Sequence, residues 1–359
     1  MSAAPRERRV REIISVARSK RARFRDDRIT MAHGAGGKSS QSLIEGLLLP
    51  ALRGEQLAQL GDAGLIDVGG SRLALTSDSF VVRPIRFPGG SIGELAVNGT
   101  VNDLAVSGAR PLALTLSLVL EEGLLASDLR AEVDAIAQAA LIAGVSVISG
   151  DTKVVERGHA DQMYVCTTGL GVLDERAALS PAGLVPGDWI ILSGSIAEHG
   201  MAVMLAREEF ALEAEIVSDT RSLWPAADAL LGAGADLHCM RDATRGGVAS
   251  ALNELARSSG VGAIISEADV PVAPAVAGAS ELLGIDPMYV ANEGTLLAFV
   301  APASGPAALE ALRAVPGCEL AAQIGVVAEE PAGMVLVETG FGGRRVMDLL
   351  AGDPLPRIC

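Results

Sequence analysis

A chain of 359 residues is long enough for two domains with well-filled cores. It is 49% apolar but only 3% aromatic, and a formal net charge of −15 argues against general nucleic-acid binding. Residues 1–28 carry ten of the 29 basic side chains but only four of the 44 acidic ones, so the remainder is more acidic still. The four cysteines, Cys166, Cys239, Cys318 and Cys359, form no C-x-x-C pair and no zinc-ligand spacing. We find no secretory signal and no apolar run of bilayer length, which makes a reducing cytoplasm the expected compartment.

In chain order, residues 1–28 read as a basic extension in which Val10, Ile13, Ile14 and Ala17 share a helical face. Met31 to Ser40 is a glycine-rich turn, and the helix expected after it buries Leu43, Ile44, Leu47 and Leu48. Gly37-Lys38-Ser39 is a near miss to the P-loop, whose first glycine is replaced by Ala32, so a true P-loop is rejected. Open backbone amides at such a turn still favour a phosphate. Leu65–Val68 and Arg72–Thr76, joined by Gly69-Gly70, read as a hairpin. A helix carrying Asn98 to Asp103 follows, then a buried strand over Pro111–Leu120 and an amphipathic helix over Leu129–Ala143. A short strand, Val145–Ile148, ends at Gly150-Asp151-Thr152-Lys153, and Tyr164–Val172 closes the first domain. In the second, Trp189–Ser193 is a strand and Glu198-His199-Gly200 opens a helix through Met201–Ala206. Met240 to Gly247 sits before a helix over Val248–Ser258, and Ala291 to Gly294 precedes the apolar strand Thr295–Val300. Strands Gln323–Val327 and Met334–Glu338 finish that domain.

The chain closes on Pro354-Leu355-Pro356-Arg357-Ile358-Cys359. Two prolines fix φ and remove donors, so a stiff, extended arm hinged at Gly352 is expected. A terminal thiol, with a reference pKa of about 8.5, can be carried between sites as a nucleophile; a frayed end that happens to finish in cysteine is the alternative. Prenylation is excluded, because it needs the cysteine fourth from the end.

Asp62, Asp78, Asp103, Asp151 and Asp242 lie beside glycines or at expected element ends. Singly each is a common cap or turn residue. Together they can gather Mg²⁺, which takes one or two carboxylates and then phosphate oxygens, so an ATP-dependent enzyme without a P-loop is inferred. His33 and His199, each beside a glycine, fit either turn packing or a nucleotide contact. Lys153, two residues after Asp151, and Glu293, ahead of a buried strand, fit either surface roles or a shared cleft between the domains.

Taken together these stretches resemble the HypE family of hydrogenase maturation factors, carbamoyl dehydratases within the superfamily of aminoimidazole ribonucleotide synthetase and selenophosphate synthetase. The resemblance is carried by His33-Gly34-Ala35-Gly36-Gly37, Thr76 to Val82, Phe87-Pro88-Gly89-Gly90 and Asn102-Asp103-Leu104-Ala105. It continues through Gly150 to Val155, Arg241 to Gly247, Ala291-Asn292-Glu293-Gly294 and the closing Pro354 to Cys359. Gly64 departs from the pattern, where alanine is expected. The basic extension (1–28) lies outside the resemblance; beyond it the family implies a mixed α+β and α/β fold, with an ATP-binding and dimerisation domain (29–174), an α+β domain (175–345) and a mobile tail (346–359). It implies ATP held by His33, Gly36, Gly37, Lys38, Asp78, Asn102, Gly150, Asp151 and Thr244, with Mg²⁺ on Asp62, Asp78, Asp103 and Asp242. A carbamoyltransferase, HypF, would load a carboxamide onto Cys359. ATP-driven dehydration, with Lys153 and Glu293 at the tail-binding site, would give a thiocyanate. The HypC–HypD iron scaffold would then receive the cyano group for [NiFe]-hydrogenase. Homodimerisation is implied; nucleic-acid and membrane partners are not. Selenophosphate synthetase is the nearest enzymatic rival, but its reactive residue lies near the N-terminus, and residues 1–60 here hold no cysteine. A non-enzymatic protein that docks iron on its tail thiol is the other alternative.

Overall fold

The computed structural model describes residues 23–54, 56–207 and 214–350; the expected face of Val10 to Ala17 and the closing arm with Cys359 lie outside the described residues. The first helical run, α1, joins Lys38–Leu43, a π-helical stretch Ile44–Leu48 and Leu49–Leu52. The widened turn carries Leu47 and Leu48 out of the 3.6-residue register; they and Ile44 are exposed rather than buried as expected, and Leu43 is half-buried.

Five strands build the first sheet, in the spatial order Gly64–Val68 (β1), Ser71–Phe80 (β2), Met163–Leu173 (β7), Ala109–Glu121 (β5) and Ser146–Val155 (β6). The hairpin forms between β1 (Gly64–Val68) and β2 (Ser71–Phe80), with Val68 opposite Ser71. Gly69 and Gly70 take φ of 58° and 88°, the positive values that a two-residue hairpin turn requires at both positions. A small ribbon, β3 (Arg86–Phe87) with β4 (Gly90–Ser91), leads into helix α2 (Ile92–Val106). Next come β5 (Ala109–Glu121), α3 (Ala126–Ala143), β6 (Ser146–Val155) and β7 (Met163–Leu173). The β6 strand runs straight through Gly150 to Lys153, which are strand residues and not the loop expected after it. Gly150 permits this, because a Cβ there would lie 2.0 Å from the Leu116 carbonyl oxygen on β5.

The second sheet has seven strands: β8 (Trp189–Leu192), β9 (Leu237–Asp242), β10 (Gly262–Ser266), β11 (Leu296–Val300), β12 (Ala322–Ala328), β13 (Val335–Glu338) and β14 (Arg344–Met347). Its order is β14-β13-β10-β12-β8-β11-β9. Every residue of β11 is buried because both faces of the sheet are covered, and alternate side chains enter different cores. Leu297 and Phe299 pack with Val248 and Leu252 of the helix Gly247–Ser259. Leu296, Ala298 and Val300 pack with Leu230 of Trp224–Gly232 and Leu312 of Gly305–Arg313.

The two domains share a core. Phe80, Ile92, Leu95 and Leu120 of the first join Met201, Val203, Val276 and Val290 of the second, from helices Glu198–Ala206 and Pro274–Leu283 and the loop before β11. In chain order the helices after α3 are α4 (Glu198–Ala206), α5 (Trp224–Gly232), α6 (Gly247–Ser259), α7 (Pro274–Leu283) and α8 (Gly305–Arg313). Helix α2 lies at this junction, and 13 of its 15 residues are buried. A helix covered on all sides must satisfy its polar side chains internally, and those of α2 do so at the junction described next.

Candidate active site

Four carboxylates from four separate elements meet at the domain junction. Asp62 stands in the loop before β1, Asp78 on β2, Asp103 on α2 and Asp242 at the end of β9. Carboxylate oxygens of Asp62, Asp103 and Asp242 all lie within 4.8 Å of one another. At that spacing, each pair of full charges would repel by about 3–4 kcal/mol at an effective dielectric of 20. That repulsion, together with burial, raises the proton affinity of the group. Burial first, then the negative charge of Asp78, Asp242 and Asp62, pushes Asp103 well above the carboxylate range. Asp242 rises to about 8, through burial and then Asp62. Asp62 rises only to about 6, since burial is opposed by the Arg241 guanidinium, whose Nε sits 3.0 Å from it. Asp78 is raised too, chiefly by burial.

Neighbouring side chains fix the orientation of this cluster. Thr76 Oγ1 donates to Asp103 Oδ2 at 2.6 Å, and Thr100 Oγ1 donates to Asp78 Oδ2 at 3.4 Å. Arg241 also donates to Glu254 and to the Leu60 carbonyl, which ties the Asp62 loop to β9. Hard oxygen donors converging from rigid strands and a helix fit a divalent cation of the Mg²⁺ type.

Glu293 lies beside the cluster, 3% exposed. Burial, then Asp242, Asp219 and Asp78, raises its carboxyl well above the ordinary range. Its loop is fixed by Asp219, which accepts from the amides of Glu293 and Gly294 at 3.0 and 2.9 Å and from Thr295 Oγ1 at 3.2 Å. Asn102, buried on α2, clamps the same loop from the other domain. Its Nδ2 donates to the Glu293 and Arg221 carbonyls, and its Oδ1 accepts from Leu223 N. The Asn102 amide is thus committed to the domain junction rather than to an open cleft.

The glycine turn lies over these acids. His33, Gly36, Asp242 and Thr244 line a cavity of about 210 Å³, and Gly36 and Gly37 line a larger one of about 480 Å³ with Arg241 and Leu349. Gly36 has φ 74°, and a Cβ there would lie 2.9 Å from the Arg245 carbonyl oxygen. Close approach of the turn to Arg245 requires glycine. His33 uses its ring on the protein: Nδ1 meets Thr30 and Nε2 lies 3.0 Å from Asp26 Oδ2. His199 is buried, bonded to Ser218 Oγ at 2.8 Å and edge-on to Phe87. Lys38 Nζ pairs with Asp348 at 2.8 Å, at the far end of the described chain.

Gly150, Asp151 and Lys153 are not brought to this cluster. They lie on β6, the outer strand of the first sheet, where Lys153 Nζ pairs with Asp151 at 2.9 Å and both are exposed. The Lys153 bond holds the Asp151 carboxyl below its usual range. Sequence reasoning passed over Arg241, Thr76 and Asp219. Arg241 stood inside a quoted motif, Thr76 opened another, and Asp219 sits in Val217-Ser218-Asp219-Thr220 with no pattern to mark it.

Two mixed domains meeting over a half-buried acidic cluster match family models on both halves. Residues 60–173 match the AIR synthase related protein, N-terminal domain, and 185–338 match the AIR synthase related protein, C-terminal domain. The chain is therefore a member of the AIR synthase related proteins. Within that class it is 45% identical to the carbamoyl dehydratase HypE of Rhodobacter capsulatus over 339 residues, 94% of this chain and 99% of that protein. A solved structure of a HypE–HypF complex aligns with a TM-score of 0.82 at 41% identity, over 86% of this chain and 99% of the other. A HypE structure in complex with ATP aligns at 0.78 and 42%, over 91% and 98%. This chain belongs to the HypE family.

Proposed function

We propose that the chain is an ATP-dependent carbamoyl dehydratase of hydrogenase maturation, acting on a carboxamide carried by its own Cys359. The observation that carries this reading is the convergence of Asp62, Asp103 and Asp242 beneath the glycine turn, with buried Glu293 beside them. The likeness to HypE bound to ATP supports nucleotide at this junction, and the likeness to the HypE–HypF complex supports HypF as the loading partner. Asp62, Asp103 and Asp242, with Asp78 alongside, would hold Mg²⁺, which when bound offsets the charge of the ATP phosphates.

An amide oxygen leaves poorly as hydroxide. Transfer of the γ-phosphoryl group to that oxygen gives a phosphate leaving group; the C–O bond then breaks as the nitrogen gives up its protons and C≡N forms. ATP becomes ADP and phosphate, and the water removed from the amide is accounted for in the phosphate. Glu293 accepts an amide proton, a role suited to a carboxyl whose proton affinity its surroundings raise. Asn102 and Asp219 position Glu293, and Gly36 and Gly37 present backbone to the nucleotide with Thr244 and His33 at the cavity wall. On this reading Asp151 and Lys153 work across a homodimer. Within one chain, β7 and β5 separate β6 from Asp78 on β2, roughly 14 Å at the usual strand spacing. The exposed Val147, Ile148 and Val154 of β6 give such a dimer an apolar seam. The HypC–HypD scaffold as acceptor and a cytoplasmic setting complete the proposal; among the described residues Cys166, Cys239 and Cys318 are free, which fits a reducing compartment. Intact-mass measurement tests it. Full-length protein loaded by HypF and carbamoyl donor should lose one water from the Cys359 adduct only when Mg·ATP is added. Cys359→Ala should take no adduct while keeping its fold. Normal cyanide-ligand synthesis by that variant would overturn the function.

A further inference from the structure

We infer that the root of the C-terminal arm is held in a three-point clamp, in which Tyr289, Asp348 and Lys38 are positioning residues for presenting Cys359 to the site of its own chain. This deepens the dehydratase reading and rests on it. From the last residue of β14 onward, the backbone carbonyls of Met347, Asp348 and Leu350 are taken up by three different parts of the fold. Asn253 of α6 donates Nδ2 to the Met347 carbonyl at 2.9 Å, the Tyr289 hydroxyl donates to that of Asp348 at 3.0 Å, and Lys38 N of α1 donates to that of Leu350 at 3.1 Å. The Asp348 carboxylate meets Lys38 Nζ at 2.8 Å and accepts from Leu349 N at 2.8 Å.

An exposed ion pair alone would contribute only about 0–1 kcal/mol. The carbonyl contacts matter more here: buried Asn253 divides its Nδ2 between the Ala249 and Met347 carbonyls, and leaving one buried N–H unpaired costs about 1–3 kcal/mol. Leu349, between the clamped carbonyls, lines the 480 Å³ cavity together with Gly37, Gly61 and Arg241. The clamp therefore delivers the chain to the rim of the cavity that adjoins Asp62.

Nine residues follow Leu350 in the sequence, a reach of at most about 30 Å. Freed back to the end of β14, the arm would gain only three residues. Tether dilution from that lengthening is about 1.5-fold, too little to explain three separate contacts. Direction is what the clamp supplies: it fixes the chain at Leu350, beside the cavity that Leu349 lines.

The test compares two routes to the same chemistry. In the full chain, the Tyr289→Phe/Asp348→Ala double variant is loaded on Cys359, and single-turnover dehydration is followed by intact mass. In a Cys359→Ser background, the same double variant is given a synthetic peptide of the last six residues bearing the carboxamide on its cysteine. The own-tail rate is expected to fall about three- to tenfold, while the peptide rate stays within about twofold of the parent. Asp348→Glu in place of Asp348→Ala should restore most of the own-tail rate. An unchanged own-tail rate overturns the clamp. Equal losses by both routes overturn it as well, since they assign these residues to the fold at large. A parent protein that dehydrates neither its tail nor the peptide overturns the dehydratase reading, which is a separate result.

Discussion

Replacing Asp242 by asparagine should make the metal-free protein more stable, and the gain should depend on pH in a defined direction. Asp242 has a pKa of about 8 in the fold against a reference of 3.8. Between those values the folded state holds a proton that the unfolded chain has released, so stability falls as pH rises through this window. Below about pH 4 both states are protonated and the term vanishes. At pH 7 the folded carboxyl keeps its proton at a cost of about 4 kcal/mol relative to an unperturbed aspartate. Asparagine cannot ionise and escapes that cost. For a chain of this length, the corresponding rise in Tm is about 5 °C near neutral pH and close to zero at pH 4. The assay is thermal unfolding of wild type and Asp242→Asn in chelator across pH 4 to 8.5, read as the difference between them so that other titrating groups cancel. Millimolar Mg²⁺ should then raise the wild-type Tm at pH 8 and leave the variant unmoved, because a cation that binds only the folded cluster stabilises it by mass action. A variant less stable than wild type throughout, with the same Mg²⁺ response, would refute the reasoning and make Asp242 an ordinary structural cap.

Glu293→Gln keeps the shape and the loop but loses the proton acceptor. Dehydration of loaded Cys359 should slow by ~10²–10⁴-fold with ATP binding retained, seen as accumulation of the carboxamide adduct by mass. Gly294→Ala should disturb the same loop mechanically, because its Cβ would lie 1.8 Å from the Asp219 carbonyl oxygen. A loss of about 1–3 kcal/mol in denaturant unfolding is expected, and wild-type stability would show that the loop tolerates the shift.

Local chemistry made much of the fold legible. The Gly69-Gly70 hairpin, the helix bearing Asn98 to Asp103 and the apolar strand after Glu293 all form where turn residues and periodicity place them. The failures are instructive. Leu47 and Leu48 satisfy a helical apolar pattern, yet a π-helical stretch turns them outward; a fixed period of 3.6 cannot anticipate that change of winding. Gly150-Asp151 looks like a strand end because glycine and aspartate are poor strand residues. Here the glycine is needed inside the strand, where β5 comes too close for any side chain.

The candidate site divides along the same line. Carboxylates beside glycines could be picked out individually, because strand and helix ends are where such residues gather. What drew Asp62, Asp103 and Asp242 together was β1, α2 and β9 meeting across two domains, and no spacing in the chain encodes that meeting. Asp219 and Asn102 show the cost of this. They make most of the contacts that hold Glu293 in place, through bonds to backbone amides and carbonyls, and backbone partners leave no mark in a sequence. Lys153 shows the converse. It stands in a motif as specific as any in the chain, but two strands of sheet, β7 and β5, separate it from Asp78, so a catalytic part for it demands a second subunit. A monomeric form that dehydrates its tail at full rate, with Lys153→Ala equally active, would remove it from the chemistry.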